Sequence, residues 1–308
     1  MSTDIQILNR FFVKGLSRSG GTLMATILDA HPNISMGYEL YEHLFEPRPE
    51  EGLTDIQELI TQVSRTIPKN SWLKSKQTPP VNPQVVKLLA RIRRGGVNEE
   101  TFLLILEEFA LQGGDIRGVG ERLQILENTV RFKMEKEGKT SWGAKISKRL
   151  KETAILWPES CFIFMMRDGR DIAASRKNNG NFKHTIEQVA LGYAKQTKKF
   201  KQFAKHFGSK AVFVQYESLV TEPENTLRSL CESINLEWSH KLLNHNKEDL
   251  TIYKDPAGHL SAKQIKQPIN SNSIGRWKKD LTEAEVSGFE LVAGDTLEEF
   301  GYSCTRIF

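Results

Sequence analysis

The sequence predicts an α/β fold: one domain built on a parallel sheet flanked by helices, with a helical insertion near its first third. Three observations carry this. Short apolar runs alternate with amphipathic stretches along most of the 308 residues, the rhythm of strands covered by helices. Several of those runs are apolar on both alternations, as strands buried on two faces must be. Between about 46 and 140 the rhythm stops, and only helical patterns remain.

RFFVKGL (10–16) is the first predicted strand, and a glycine-containing turn leads from it into a helix over 22–30. NISMG (33–37) is a short second strand. The insertion contains DIQELITQVSRTI, TFLLILEEFALQ and ENTVRFKMEKE, each with apolar residues at helical spacing, and Arg93-Arg94-Gly95-Gly96 reads as a loop. It is expected to lie over one edge of the sheet and to shape a ligand pocket there, together with the loop at 178–184. SWGAKI (141–146), CFIFMM (161–166) and AVFVQY (211–216) complete the strands. Helices are expected at 148–156, 169–177, 185–206, 222–234 and 282–298.

Composition narrows the function classes. The net charge of +5, from 43 basic and 38 acidic residues, is spread along the chain. It suits an anionic ligand and argues against nucleic acid as a partner. Cys161, Cys231 and Cys304 form no C-x-x-C pair and no metal-ligand spacing, which fits a reducing compartment and no metal. HKLLNH (240–245) spaces its two histidines i,i+5, off a common helix face. No apolar stretch approaches the roughly 20 residues of a membrane span, and MSTDIQILNR lacks the features of a secretory signal, so cytoplasm is the expected location.

The chemistry begins at KGLSRSGGTL (14–23). Gly15, Gly20 and Thr22 follow the phosphate-loop pattern G-x-x-x-x-G-K-[ST], so the sheet is expected to be of P-loop type, yet Gly21 stands where the lysine should. A strand, a glycine turn and a helix N-terminus gather backbone N–H groups and the positive end of a helix dipole on one anion. The lysine serves the β/γ-phosphates of a nucleoside triphosphate. Without it, and with Arg18 inside the loop, the site suits a 5′-phosphate-type group.

GLSRSGGTLMATILDAHPNISMGYE resembles the phosphosulfate loop of sulfotransferases that use 3′-phosphoadenosine-5′-phosphosulfate (PAPS), in which [KR]-S-G-T-T is followed by a helix and often D-A-H-P. The resemblance implies a donor-binding loop of Arg18, Ser19, Gly20, Gly21, Thr22 and Leu23, with PAPS as donor and PAP, its desulfated form, as product. With no γ-phosphate to hold, the missing lysine is explained. A second motif, FIFMMRDGRDIAAS, places Arg167 at a strand end and Ser175 eight residues on; in the family this pair binds the 3′-phosphate. By itself R-D-G-R-D also reads as a surface salt-bridge turn. LSAKQIKQPINSNSIGRWKKDL (260–281) resembles the loop that closes over PAPS in tyrosylprotein sulfotransferases and their bacterial relatives, implying contacts from Ser261, Gln264, Asn270 and Arg276. Tyr216 in VQYESLV matches a strand-end tyrosine of the nucleotide site.

The same resemblance implies roles. Glu39 is the expected general base, Lys145 the stabiliser of the bridging oxygen, and Arg18 and Ser261 further charge stabilisers. His31 and His43 are fallback bases, although His31 in AHPN also reads as a helix end. Arg18 and Arg167 are expected in two separate cationic pockets that clasp opposite ends of one doubly phosphorylated adenylate. Two departures stand out. Gly21 replaces the family's first loop threonine and removes a hydroxyl donor. Tyr38, Leu40 and Tyr41 differ from the acidic and arginine residues of the tyrosylprotein enzymes, which points to a small-molecule hydroxyl acceptor over an acidic peptide. A protein tyrosine, a carbohydrate, a P-loop kinase or NTPase reaction, and a non-catalytic nucleotide module remain the competing readings.

Overall fold

A computed structural model describes residues 9–39, 55–67, 81–178, 183–255, 259 and 261–305. Five strands form one parallel sheet in the order β2-β3-β1-β4-β5: β1 (Arg10–Gly15), β2 (Ile34–Tyr38), β3 (Ser141–Ile146), β4 (Cys161–Met166) and β5 (Ala211–Gln215). Each expected strand is present, with ends within one residue of its sequence range. The two-sided apolar runs are the reason. Phe12, Phe162 and Phe164 point into one core layer, while Phe11, Val13, Ile163 and Met165 point into the other.

α1 (Gly21–Asp29) follows β1 and packs on β2. The insertion supplies α2 (Ile56–Ser64), α3 (Pro83–Arg94), α4 (Glu99–Leu111) and α5 (Val119–Lys136). Both α3 and α5 contact β2, so the insertion does cover that edge of the sheet. The loop expected at Arg93-Arg94 is instead the last turn of α3. Asn82 caps the helix, Pro83 opens it, and the chain leaves only at Gly95 and Gly96, the latter with φ of 80°. Arg94 is therefore helical, where a loop residue was expected, and it is buried, 1% exposed.

The other face is covered by α6 (Leu150–Leu156), α7 (Gly169–Lys177), α8 (Ile186–Phe207) and, after α9 (Tyr216–Thr221) and α10 (Pro223–Ser233), by α11 (Glu283–Glu299), which packs along α8. Among the described residues no helix is long and apolar enough to cross a membrane.

Candidate active site

Parallel α/β sheets bind ligands beyond the carboxyl ends of their strands, where the strand order reverses. All five strands here deliver a residue to one cavity at that end. Arg18 follows β1, Glu39 follows β2, Lys145 ends β3, Arg167 follows β4 and Tyr216 follows β5, and all line a cavity of about 410 Å³.

The floor is the turn before α1. Gly20 caps the helix with φ of 92°, a left-handed conformation that glycine adopts without strain. A side chain there would also strike the Tyr216 ring, its Cβ lying 2.6 Å from Cδ2. Met24 N is the first amide to close an intrahelical bond, to Gly20 O at 3.0 Å. The amides of Gly21, Thr22 and Leu23 therefore precede the helix ladder, as anion-binding amides do. Ser19 is different from its expected role. Its hydroxyl is fully buried with no hydrogen-bond partner among the described residues, its amide donates to Leu16 O at 3.0 Å, and it does not line the cavity. The tight turn faces Ser19 inward, against Gly15.

At the β2–β3 end, Glu39 N donates to Lys145 O at 3.1 Å, extending the strand pairing by one rung and setting the two side chains together. Lys145 Nζ donates to Glu39 Oε1 and, at 3.0 Å, to Thr22 Oγ1. Glu39 itself has φ of 55°, a strained conformation for a non-glycine residue and a mark of functional sites. Its second oxygen faces α3: Arg94 lies 3.5 Å away and Arg91 3.8 Å away. Burial raises the Glu39 pKa, but the charge and hydrogen bond of Lys145, with His259 and Arg91, overcome it and hold the carboxyl at about 2. Arg91, Arg94 and His259 were not legible as site residues. The two arginines belong to the insertion, and nothing in the R-R-G-G stretch marks a buried cation.

At the other end, Arg167 donates to Arg18 O at 3.0 Å and to Ser273 O, stacks over the Tyr216 ring at 4.3 Å, and keeps its Nε buried with no hydrogen-bond partner among the described residues. The R-D-G-R-D stretch divides its labour. Arg170 pairs closely with Asp168 and Glu290 in the core, and Arg167 Nη2 lies 3.6 Å from Asp171 Oδ2. Arg18 did not keep to its expected pocket. Its Nε donates to Ser175 Oγ at 2.9 Å and its Nη1 to Ser261 Oγ at 3.0 Å. It therefore shares one end of the cavity with Arg167. Burial first, then the charges of Arg167 and Arg276, lower its pKa. The physical reason is the left-handed turn at Arg18 itself, φ 78°, which aims the side chain across the loop toward α7. Lys145 is the cation that touches Thr22 in the first turn of α1.

Gln264, Asn270 and Arg276, expected as donor contacts, line the cavity. Asn270 also closes its own turn, donating to Pro268 O and accepting from Asn272 N, and Arg276 is paired with Asp280. His31 is structural: its Nε2 meets Glu237 O at 2.8 Å and its Nδ1 accepts from Asn33 N. His43, Leu40, Tyr41 and most of the 178–184 loop lie outside the described residues. Among those described, no group of three or more His, Cys, Asp or Glu could hold a metal ion.

The cavity fits a doubly anionic adenylate by its own donors. A buried guanidinium nitrogen with no hydrogen-bond partner among the described residues, two further arginines and the Ser175 hydroxyl lie at one end; helix-terminal amides, Thr22 and Lys145 lie at the other, with Ser261 between Arg18 and His259. The sequence profile of the sulfotransferase family matches residues 10–240. Protein-tyrosine sulfotransferase A of Caenorhabditis elegans is 26% identical over 305 residues, covering 94% of this chain and 66% of that protein. The protein-tyrosine sulfotransferase of Drosophila melanogaster is 24% identical over 288 residues, covering 86% and 46%. The chain thus spans about half to two thirds of the length of these relatives. In fold it is similar to the sulfotransferase domain of a Synechococcus olefin synthase, with a TM-score of 0.64, 15% identity and coverage of 96% and 95%. It is likewise similar to the sulfotransferase domain of the curacin biosynthetic pathway, with a TM-score of 0.62, 17% identity and coverage of 97% and 99%. With a profile match over three quarters of its length on the strands and loops that build this cavity, the chain belongs to the sulfotransferase family.

Proposed function

We propose that this chain transfers the sulfonyl group of PAPS to the hydroxyl of a small-molecule acceptor. The observation that carries the reading is the Glu39–Lys145–Thr22 cluster, a carboxylate and an ammonium side by side at the N-terminus of α1. When bound, PAPS supplies an electrophilic sulfonyl group joined through a bridging oxygen to a phosphate. Arg167 and Ser175, with Arg18, hold the 3′-phosphate, and the amides of Gly21 to Leu23 hold the 5′-phosphate. Glu39 would take the proton of the acceptor hydroxyl as the acceptor oxygen bonds to sulfur and the bond from sulfur to the bridging oxygen breaks, with Lys145 and Thr22 offsetting the charge left on that phosphate oxygen. A carboxylate held at about pKa 2 is a weak base. Lys145 is shared between Glu39 and the loop, so turning it toward an anion on the loop raises the basicity of Glu39 where a base is needed.

A second reading of the acceptor, a tyrosine side chain, is favoured by the relatives, whose names are those of protein-tyrosine sulfotransferases. Both acceptors approach from the Glu39 side, where the insertion lines the cavity. The test uses labelled PAPS with a panel of hydroxylated small molecules and tyrosine peptides, alongside Glu39→Gln. Glu39→Gln is expected to keep PAP binding and to lose turnover by about 10²- to 10⁴-fold. Undiminished turnover removes Glu39 from the reaction, and a larger thermal shift with ATP–Mg²⁺ than with PAP overturns the donor assignment.

A further inference from the structure

His259 lies at the phosphosulfate end of the cavity, outside every motif that the resemblance supplied. Its two ring nitrogens have different partners. Nδ1 accepts a hydrogen bond from Ser261 N at 3.1 Å, and Nε2 lies 3.2 Å from Thr22 Oγ1. A backbone amide can only donate, so Nδ1 carries no proton and the neutral ring is protonated at Nε2. The ring is neutral near pH 7. Burial, then the charges of Arg94, Lys145 and Arg91, against an opposing pull from Glu39, lower its pKa to about 4.

That tautomer settles what Thr22 can do. Its hydroxyl oxygen has two lone pairs and one proton. Lys145 Nζ donates to that oxygen at 3.0 Å, and Nε2–H of His259 donates to it at 3.2 Å. With both lone pairs engaged, the hydroxyl can act only as a donor. Its side chain stands in the first turn of α1, beside the free amides, so the proton is left for an anion on the loop. We propose that His259 is a positioning residue that fixes Thr22 as a dedicated hydrogen-bond donor to the 5′-phosphate group of the donor nucleotide. This arrangement offsets the hydroxyl that Gly21 removes, since the loop's remaining threonine hydroxyl is held in its useful orientation. The inference rests on the cavity being the PAPS site.

The test reads binding, not turnover, and separates the two ring nitrogens. Calorimetric titration compares PAP with adenosine 3′-phosphate, which lacks the 5′-phosphate, for wild type, His259→Asn, His259→Gln and Thr22→Val. Asparagine places an acceptor near Nδ1, keeping the bond from Ser261 N while losing the donor to Thr22; glutamine places an amide N–H near Nε2. His259→Asn is expected to weaken PAP about tenfold, the scale of a partly lost hydrogen bond to a charged group. It should leave adenosine 3′-phosphate within about twofold. His259→Gln is expected to bind PAP nearly as wild type does. In the Thr22→Val background, His259→Asn should have no further effect on PAP. Wild-type affinity in His259→Asn overturns the proposal, as does an equal loss with and without the Thr22 hydroxyl. A wild-type chain that does not bind PAP overturns the function reading itself, an outcome distinct from either.

Discussion

Gly21→Thr adds the loop hydroxyl that the sulfotransferase motif calls for, and a Cβ fits at that position. A Cβ at Gly21 would meet Lys145 Cε at 3.4 Å and Val13 Cγ1 at 3.9 Å, both ordinary contacts. Gly21 opens α1 with helical backbone, so the substitution imposes no left-handed strain. Two gains follow. Replacing a helical glycine stabilises the free protein by about 0.5 kcal/mol, the low end for a terminal position. A new hydroxyl donating to a charged phosphate oxygen is worth about 1.5–3 kcal/mol, or roughly 10- to 100-fold in PAP affinity. Titration calorimetry with PAP and a thermal melt of the unliganded variant measure the two separately. If the melt is unchanged or higher and PAP binds no more tightly, the anion does not sit over the N-terminus of α1, and the reasoning for the whole loop fails.

Gly20→Ala is the contrasting case. With φ of 92° and the Tyr216 ring 2.6 Å from the new methyl, it should lower the melting temperature by several degrees and weaken PAP; a melt within a degree of wild type would contradict the packing. Arg167→Met should weaken PAP about 10- to 100-fold but adenosine 5′-phosphate far less, since only PAP offers the 3′-phosphate; equal losses would show that Arg167 merely braces the Arg18 turn through its bond to Arg18 O. Stability should fall as pH drops from about 6.5 toward 4. Burial lowers the pKa of His245 to about 4, so the unfolded chain takes up a proton in that window while the folded chain does not. Urea midpoints at pH 7 and pH 5 check this, and His245→Asn with an unchanged drop would assign the loss elsewhere.

The sheet was legible because its strands are buried on both faces, so that alternation is lost and runs such as CFIFMM stand out against polar helices. The phosphate loop and Arg167 were legible because each needs a particular residue at a particular strand end. The support for Glu39 was not. Arg91 and Arg94 lie more than fifty residues away in a helix whose apolar positions account for its packing, and an arginine in sequence reads as a solvated one. Arg18 shows a different limit. Its motif position was clear, yet its left-handed backbone, invisible in the residue type, turned it to the Ser175 side. His259 belongs to no periodic element, so only its place beside Thr22 reveals it.

Arg91 and Arg94 reach Glu39 from the insertion and line the cavity beside it, on the side from which the proposed acceptor approaches. Under the proposed reaction, acceptor choice and the tuning of the proton acceptor are housed in a single stretch of chain. Exchanging that stretch between relatives to redirect specificity would also exchange the counter-charges of the carboxylate. Chimeras of this kind should gain new selectivity together with an altered optimum pH, and engineering that alters one without the other must leave the last turn of α3 in place.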